Sequence, residues 1–228
     1  MHLPIRTSAD IIADIADIYE ELEILPPVRE HQARVAGVIL ILKEHWQGPT
    51  VNWDDAVAAA LVHDLGNIVK ASLDTPIGQA ILGPVECERI EHWKDVRERT
   101  IAAYGIDEHA VTHALAEKCG ASRRILDIFM MSTFSHGLVL ITDGDWEKKL
   151  VGYADRVVGP FGVLTLDARM QEANKRYGYT AHPSDARPPV LQAAYDLHTQ
   201  MQKNVAILLD SITEEHVQEH VQRFLRRD

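Results

Sequence analysis

Residues 61–70 read L-V-H-D-L-G-N-I-V-K, and a run of small apolar residues, A-V-A-A-A, precedes them at 56–60. The run is long, uncharged and free of Gly and Pro, as a buried helix requires, and Gly66-Asn67 breaks it. His63 and Asp64 therefore stand side by side where a buried helix ends. The dipeptide alone carries little weight, because 12 His and 18 Asp in 228 residues give about one such pair by chance. Its setting has to supply the rest.

Working outward, helix signals surround this stretch. Thr7-Ser8 followed by acidic residues is a helix start, and Ile11, Ile12, Ile15, Tyr19 and Leu22 form one apolar stripe. Pro26-Pro27 ends that element and suits the first turn of the next. Residues 28–46 form a strongly apolar helix closed by Gly48-Pro49, and Asn52 or Asp54 caps the helix that leads to His63. Residues 71–84, with two Pro and two Gly, read as a loop or a broken short helix. A long helix follows from Val85 to Tyr104, with Gly105 as a left-handed terminator. Asp107 caps the next, and Ser122 or Ala121 opens another toward Ser135-His136-Gly137. Residues 137–145 hold the one plausible strand. Asp145 then caps W-E-K-K-L-V-G-Y-A-D-R-V-V, which Gly159-Pro160 stops. Thr165 to Tyr177 is helical, 179–189 is a Pro-rich connection, and two helices run over 189–209 and 213–226. The expected fold is all-α, a single domain of about nine to ten helices, with a core at about 28–160 and a C-terminal helical extension at about 161–228.

Composition limits the partners. A net charge of −11 argues against a nucleic-acid or anionic-membrane surface, since both call for a basic face. The two Cys, Cys87 and Cys119, support neither a disulfide framework nor a cysteine zinc site. The N-terminus has no apolar signal core, and the longest apolar run, Val35 to Leu42, is far shorter than the ~20 residues a membrane span needs. A cytoplasmic protein is expected, with a homodimer left open.

The helices of His31 and of His63-Asp64 are joined by a short connection, so they are antiparallel neighbours on which the two imidazoles can face each other. A third helix brings Asp155, a carboxylate amid apolar residues that needs a cation to be tolerated there. Two imidazoles and two carboxylates around one cavity suit Mn, Fe, Co, Ni or Zn better than Ca. A water on such a metal becomes a nucleophile at neutral pH.

His31, His63-Asp64 and Asp155, in the contexts H-Q-A-R-V-A, A-A-L-V-H-D-L-G-N and G-Y-A-D-R, resemble the H…HD…D pattern of the HD-domain metal-dependent phosphohydrolase superfamily. The resemblance covers residues 28 to about 160. It implies a helical core holding a divalent metal through His31, His63, Asp64 and Asp155, with a metal-activated water attacking a small phosphorylated substrate, a nucleotide being favoured. Some members hold a second metal on extra His residues, for which His92 and His136 are the candidates; His109 and His113 read as surface. The chain departs from the cyclic-dinucleotide phosphodiesterase branch, having Asn67 where that branch carries Lys and lacking its G-Y-P signature. Arg34, Asn67, Lys70 and Lys94 are the candidate substrate contacts, Arg34 because its guanidinium fork suits phosphate. Arg156 is the candidate for a structural ion pair. The alternatives are a di-iron oxygenase of the same fold and a non-catalytic metal- or nucleotide-binding regulatory module.

Overall fold

A computed structural model describes residues 5–177 and 189–227 of the chain. Its α-helices are α1 (Ser8–Glu21), α2 (Pro26–Glu44), α3 (Trp53–Val62), α4 (Pro76–Leu82), α5 (Pro84–Cys87), α6 (Ile90–Tyr104), α7 (Glu108–Lys118), α8 (Arg123–Ser132), α9 (Gly137–Leu140), α10 (Trp146–Val157), α11 (Leu166–Tyr177), α12 (Pro189–Gln202) and α13 (Glu214–Leu225). Short 3₁₀ turns lie at Asn67–Lys70, Phe134–His136 and Leu209–Ser211. The architecture is all-α. No helix among the described residues is long and apolar enough to cross a membrane.

Local chemistry accounts for the helix starts. Thr7 caps α1 in a reciprocal box with Asp10, while Asn52, Asp107, Ser122 and Asp145 each accept a backbone N–H at the head of α3, α7, α8 and α10. Pro26 opens α2, and Gly105, at φ 94°, ends α6.

Three expectations change. Residues 137–140 form the short helix α9 instead of opening a strand. Gly137 and Leu140 are buried while Leu138 and Val139 are exposed, a spacing of three that fits a helical turn and not a pleat. The described strands are a two-residue hairpin, β1 (Val158–Gly159) paired with β2 (Gly162–Val163). The expected helix over 85–104 is divided at Glu88-Arg89 into α5 and α6; of the two readings of 71–84, a loop or a broken short helix, the short helix α4 occupies 76–82 and ends at Gly83, φ 83°. These divisions raise the number of described α-helices to thirteen. The expected connection at 179–189 lies, except for its last residue, outside the described residues.

Helix α3 is the axis. Every residue from Ala56 to Val62 is buried, and α1, α2, α8 and α10 pack around it. Its alanines allow these backbones to approach. Ile11, Ile15, Ile18 and Tyr19 of α1 cover one side, and Val35, Val38, Ile39 and Leu42 of α2 another. The C-terminal helices share this core: Leu197, Met201, Val217, Val221 and Phe224 belong to the same hydrophobic cluster. Helix α13 lies along α2 at Gly37, where an added Cβ would stand 3.0 Å from Val217 Cβ. Helices α2, α3 and α10 thereby meet pairwise, and their meeting places the candidate ligands.

Candidate metal centre

Helix α3 ends at His63, and the last turn of any helix leaves carbonyls without a partner. Here side chains serve them. Tyr19 Oη donates to the Leu61 carbonyl at 2.7 Å, and His63 Nδ1 donates to the Ala60 carbonyl, also at 2.7 Å. The second bond sets the His63 tautomer, leaving Nε2 as the outward atom. The next backbone N–H, that of Asp64, donates to Gln32 Oε1 of α2 at 3.0 Å. The turn that presents Asp64 is thus fastened to the helix that carries His31.

His31, His63 and Asp64 place one ligand atom each within 4.8 Å of one another, the one such trio among the described residues. The His31 and His63 rings face each other at a centroid distance of 5.3 Å. Asp155, from α10, brings Oδ1 to 3.1 Å from His31 Nε2 and 3.5 Å from His63 Nε2, and Asp64 Oδ2 lies 3.9 Å from His31 Nε2. All four residues expected as ligands converge. Asp155 retains 29% of its side-chain exposure and Asp64 23%, so solvent reaches the group.

The electrostatics favour a cation at the centre. Burial alone would lower the His63 imidazole, but the Asp64 and Asp155 carboxylates outweigh it and raise it to about 9. Burial would likewise raise Asp155, whereas its contacts with both imidazoles hold it well below the usual carboxylate range. Two buried side-chain polar atoms among the described residues lack a hydrogen-bond partner, His63 Nε2 and Gln32 Nε2, and both belong to this site. A buried polar atom without a partner is costly unless something meets it. Two imidazole nitrogens and two carboxylate oxygens, with one imidazole fixed from behind by a carbonyl, are donors that suit a divalent transition metal. The residues fit that group.

The other expected site residues are distributed differently. Asn67 donates from Nδ2 to Asp64 Oδ2 at 3.1 Å and to Glu108 Oε1 at 3.3 Å, so the structure engages it with a candidate ligand instead of leaving it toward a substrate. Lys70 pairs with that same Glu108 oxygen, and its side chain is 53% exposed. Arg34, on α2, donates to Glu30 and Glu214 at 3.0 and 2.7 Å, tying α2 to α13. Lys94 pairs with Asp74 at 2.8 Å and Glu91 at 2.9 Å.

Neither candidate for a second metal joins the trio. His92 lies 3.8 Å from Glu23 and packs edgewise on Trp93. His136 sits in its 3₁₀ turn with Nδ1 2.8 Å from Thr133 Oγ1 and 3.2 Å from the Met130 carbonyl. Arg156 donates to the Gly152 and Thr133 carbonyls at 2.6 and 3.0 Å, and burial lowers it to about 10 against the opposing pull of Asp155.

Gln32 and Glu108 are absent from the expected set. Gln32 carried a signal, an uncharged polar residue on the inward side of an apolar helix. Glu108 carried none, since an acid after a cap residue is common in any first helical turn. Burial, then the nearby Asp64 charge, raises the Glu108 carboxyl despite its pairing with Lys70. Compared with family models, with curated proteins and with solved structures, the chain matches none.

Proposed function

We propose that the chain is a metal-dependent phosphohydrolase acting on a small phosphorylated molecule, a nucleotide being favoured. One observation carries this reading: His63 Nε2 is buried without a hydrogen-bond partner, while His31, Asp64 and Asp155 gather around it. The H…HD…D order of the same four residues supports it independently. A divalent metal bound there supplies Lewis acidity and an acidified water.

The chain's own groups then have distinct tasks. His31 and His63 are the neutral nitrogen donors, and the Ala60 carbonyl keeps the His63 ring in the ligating tautomer. Asp64 and Asp155 offset the metal's charge. The Lys70 ammonium, held beside Asn67 by Glu108, meets the anionic phosphoryl oxygens, for which an overall charge of −11 makes a local cation necessary. Arg34 and Lys94, whose ion pairs run to Glu30, Glu214, Asp74 and Glu91 and not to the ligand turn, have no part in this scheme. The test is a phosphate-release screen over nucleotides and sugar phosphates with Mn, Co, Ni and Mg in parallel. Turnover with at least one metal, abolished by chelation, is expected; metal uptake without turnover of any ester would refute the hydrolase reading.

A further inference from the structure

We propose that Glu108 is a positioning residue of this metal centre: it orients the Asn67 amide onto Asp64 and holds Lys70 as the protein's own second cation, so that the centre takes one metal. The proposal rests on the metal-centre reading above and adds to it the residue behind the ligand and the number of metals.

Backbone packing builds the relation between Glu108 and the His-Asp turn. The Gly66 N–H donates to Thr112 Oγ1 of α7 at 2.9 Å. A Cβ at residue 66 would stand 2.6 Å from the Thr112 nitrogen and 2.7 Å from the Glu108 carbonyl oxygen. Those atoms are backbone and cannot swing aside. The first turn of α7 therefore seats directly on the turn after Asp64, and glycine is what permits it.

That seating puts one amide between two carboxylates. Asn67 Nδ2 has two hydrogens, and Asp64 Oδ2 and Glu108 Oε1 stand 3.1 and 3.3 Å away. Either carboxylate repels the amide oxygen, so the pair determines which way the amide is turned. One side of the Asp64 carboxylate is thereby occupied by an N–H donor, and its rotation is restrained. A residue that orients a ligand in this way affects metal affinity without touching the metal.

Glu108 Oε1 also accepts Lys70, completing a chain from Asp64 through Asn67 and Glu108 to Lys70. The Glu108 side chain is 13% exposed and that of Lys70 53% exposed, so the carboxylate is the anchor and the ammonium faces the accessible side. In centres with two metals, the second ion provides a second positive charge for the phosphoryl oxygens. Here a lysine is stationed close to the ligand turn, and the described residues present one trio of ligand atoms.

The test is calorimetric titration of the metal-stripped protein with Mn²⁺, followed by titration of the Mn-loaded protein with inorganic phosphate. The expected wild-type result is one Mn²⁺ per chain. Glu108→Ala and Asn67→Ala each weaken Mn²⁺ about 10- to 100-fold. The double variant is no worse than either single one, because both break the same link. Glu108→Gln, which keeps an acceptor oxygen for Asn67, stays near wild type. Lys70→Ala keeps Mn²⁺ binding and weakens phosphate about tenfold, the loss of a single charge-assisted contact. Circular dichroism checks folding, and if Glu108→Ala is unfolded, Asn67→Ala and Glu108→Gln carry the test. Wild-type Mn²⁺ affinity in folded Glu108→Ala or Asn67→Ala, two Mn²⁺ per chain, or unchanged phosphate binding in Lys70→Ala would each overturn the proposal. A wild-type protein that takes up no Mn²⁺, Co²⁺ or Ni²⁺ would instead overturn the underlying metal-centre reading.

Discussion

Two regions of the molecule gather charged side chains in similar numbers. Around the head of α10, Asp145 and Glu147 meet Arg124 at 2.5 and 3.2 Å, and Lys148 reaches Asp127 at 2.9 Å. At the end of α3, Asp64 and Asp155 lean on the imidazoles of His31 and His63. The first set is balanced by permanent cations and sits where a helix needs a cap, so stability explains it. The second is balanced by rings whose charge depends on a proton, and one ring nitrogen is buried without a hydrogen-bond partner. Charge clustering alone does not mark a site. A cluster whose balance depends on an exchangeable cation does.

The sharpest way to break this contrast is Asp64→Ala. Because an outer partner of a metal ligand is worth about 10- to 100-fold in affinity, loss of a ligand should weaken Mn²⁺ by more than about 100-fold. Calorimetry reads that loss, circular dichroism should be unchanged, and any phosphatase activity should vanish. Gly66→Ala probes the packing beneath the site. Its methyl meets backbone of α7 at 2.6–2.7 Å, so α7 must shift, at a cost of about 1–3 kcal/mol by chemical denaturation together with weaker Mn²⁺ binding. Wild-type stability would show that α7 is not seated on the turn as described.

In the other region, Asp145→Ala should cost about 1 kcal/mol through loss of the cap and leave Mn²⁺ affinity unchanged. Its acid dependence has a definite sign. Burial pushes the Asp145 carboxyl up, but Arg124 and the cap bonds outweigh it and bring it down to about 2. A lowered folded value against an ordinary value near ~3.9 means full stabilisation above about pH 4, lost as pH falls toward 2. Asp145→Asn, which can still cap, should flatten that part of the denaturation profile. The smallest effect is expected from His92→Ala and His136→Ala, which should leave the metal content measured by elemental analysis unaltered; a drop would return these rings to the site.

Much of this was legible before any tertiary structure. Thr7, Asn52, Asp107, Ser122 and Asp145 announce their helices because a cap bond spans only three residues. The four candidate ligands were legible from their flanks, since an apolar stretch that delivers His or Asp to its inner side must explain that polarity. The 137–145 stretch misled, because a run such as G-L-V-L-I supports a strand or a helical turn equally until its burial is known. Arg34 shows a related limit: sharing a helix with His31 does not decide which neighbour its guanidinium meets, and Glu214 arrives from α13, 180 residues later.

By itself, the sequence determined an all-α chain, where most of its helices begin, and which four residues were worth bringing together. Those are consequences of short-range hydrogen bonding and of the period of the apolar residues. Only the tertiary structure decided that His63 Nε2 would be left without a hydrogen-bond partner, that Asn67 would stand between Asp64 and Glu108, and that Lys70 would be held by Glu108. Those relations depend on how far each helix slides and turns against its neighbours. Contacts between backbones, such as that of Gly66 with α7, set that register, and no local pattern encodes it.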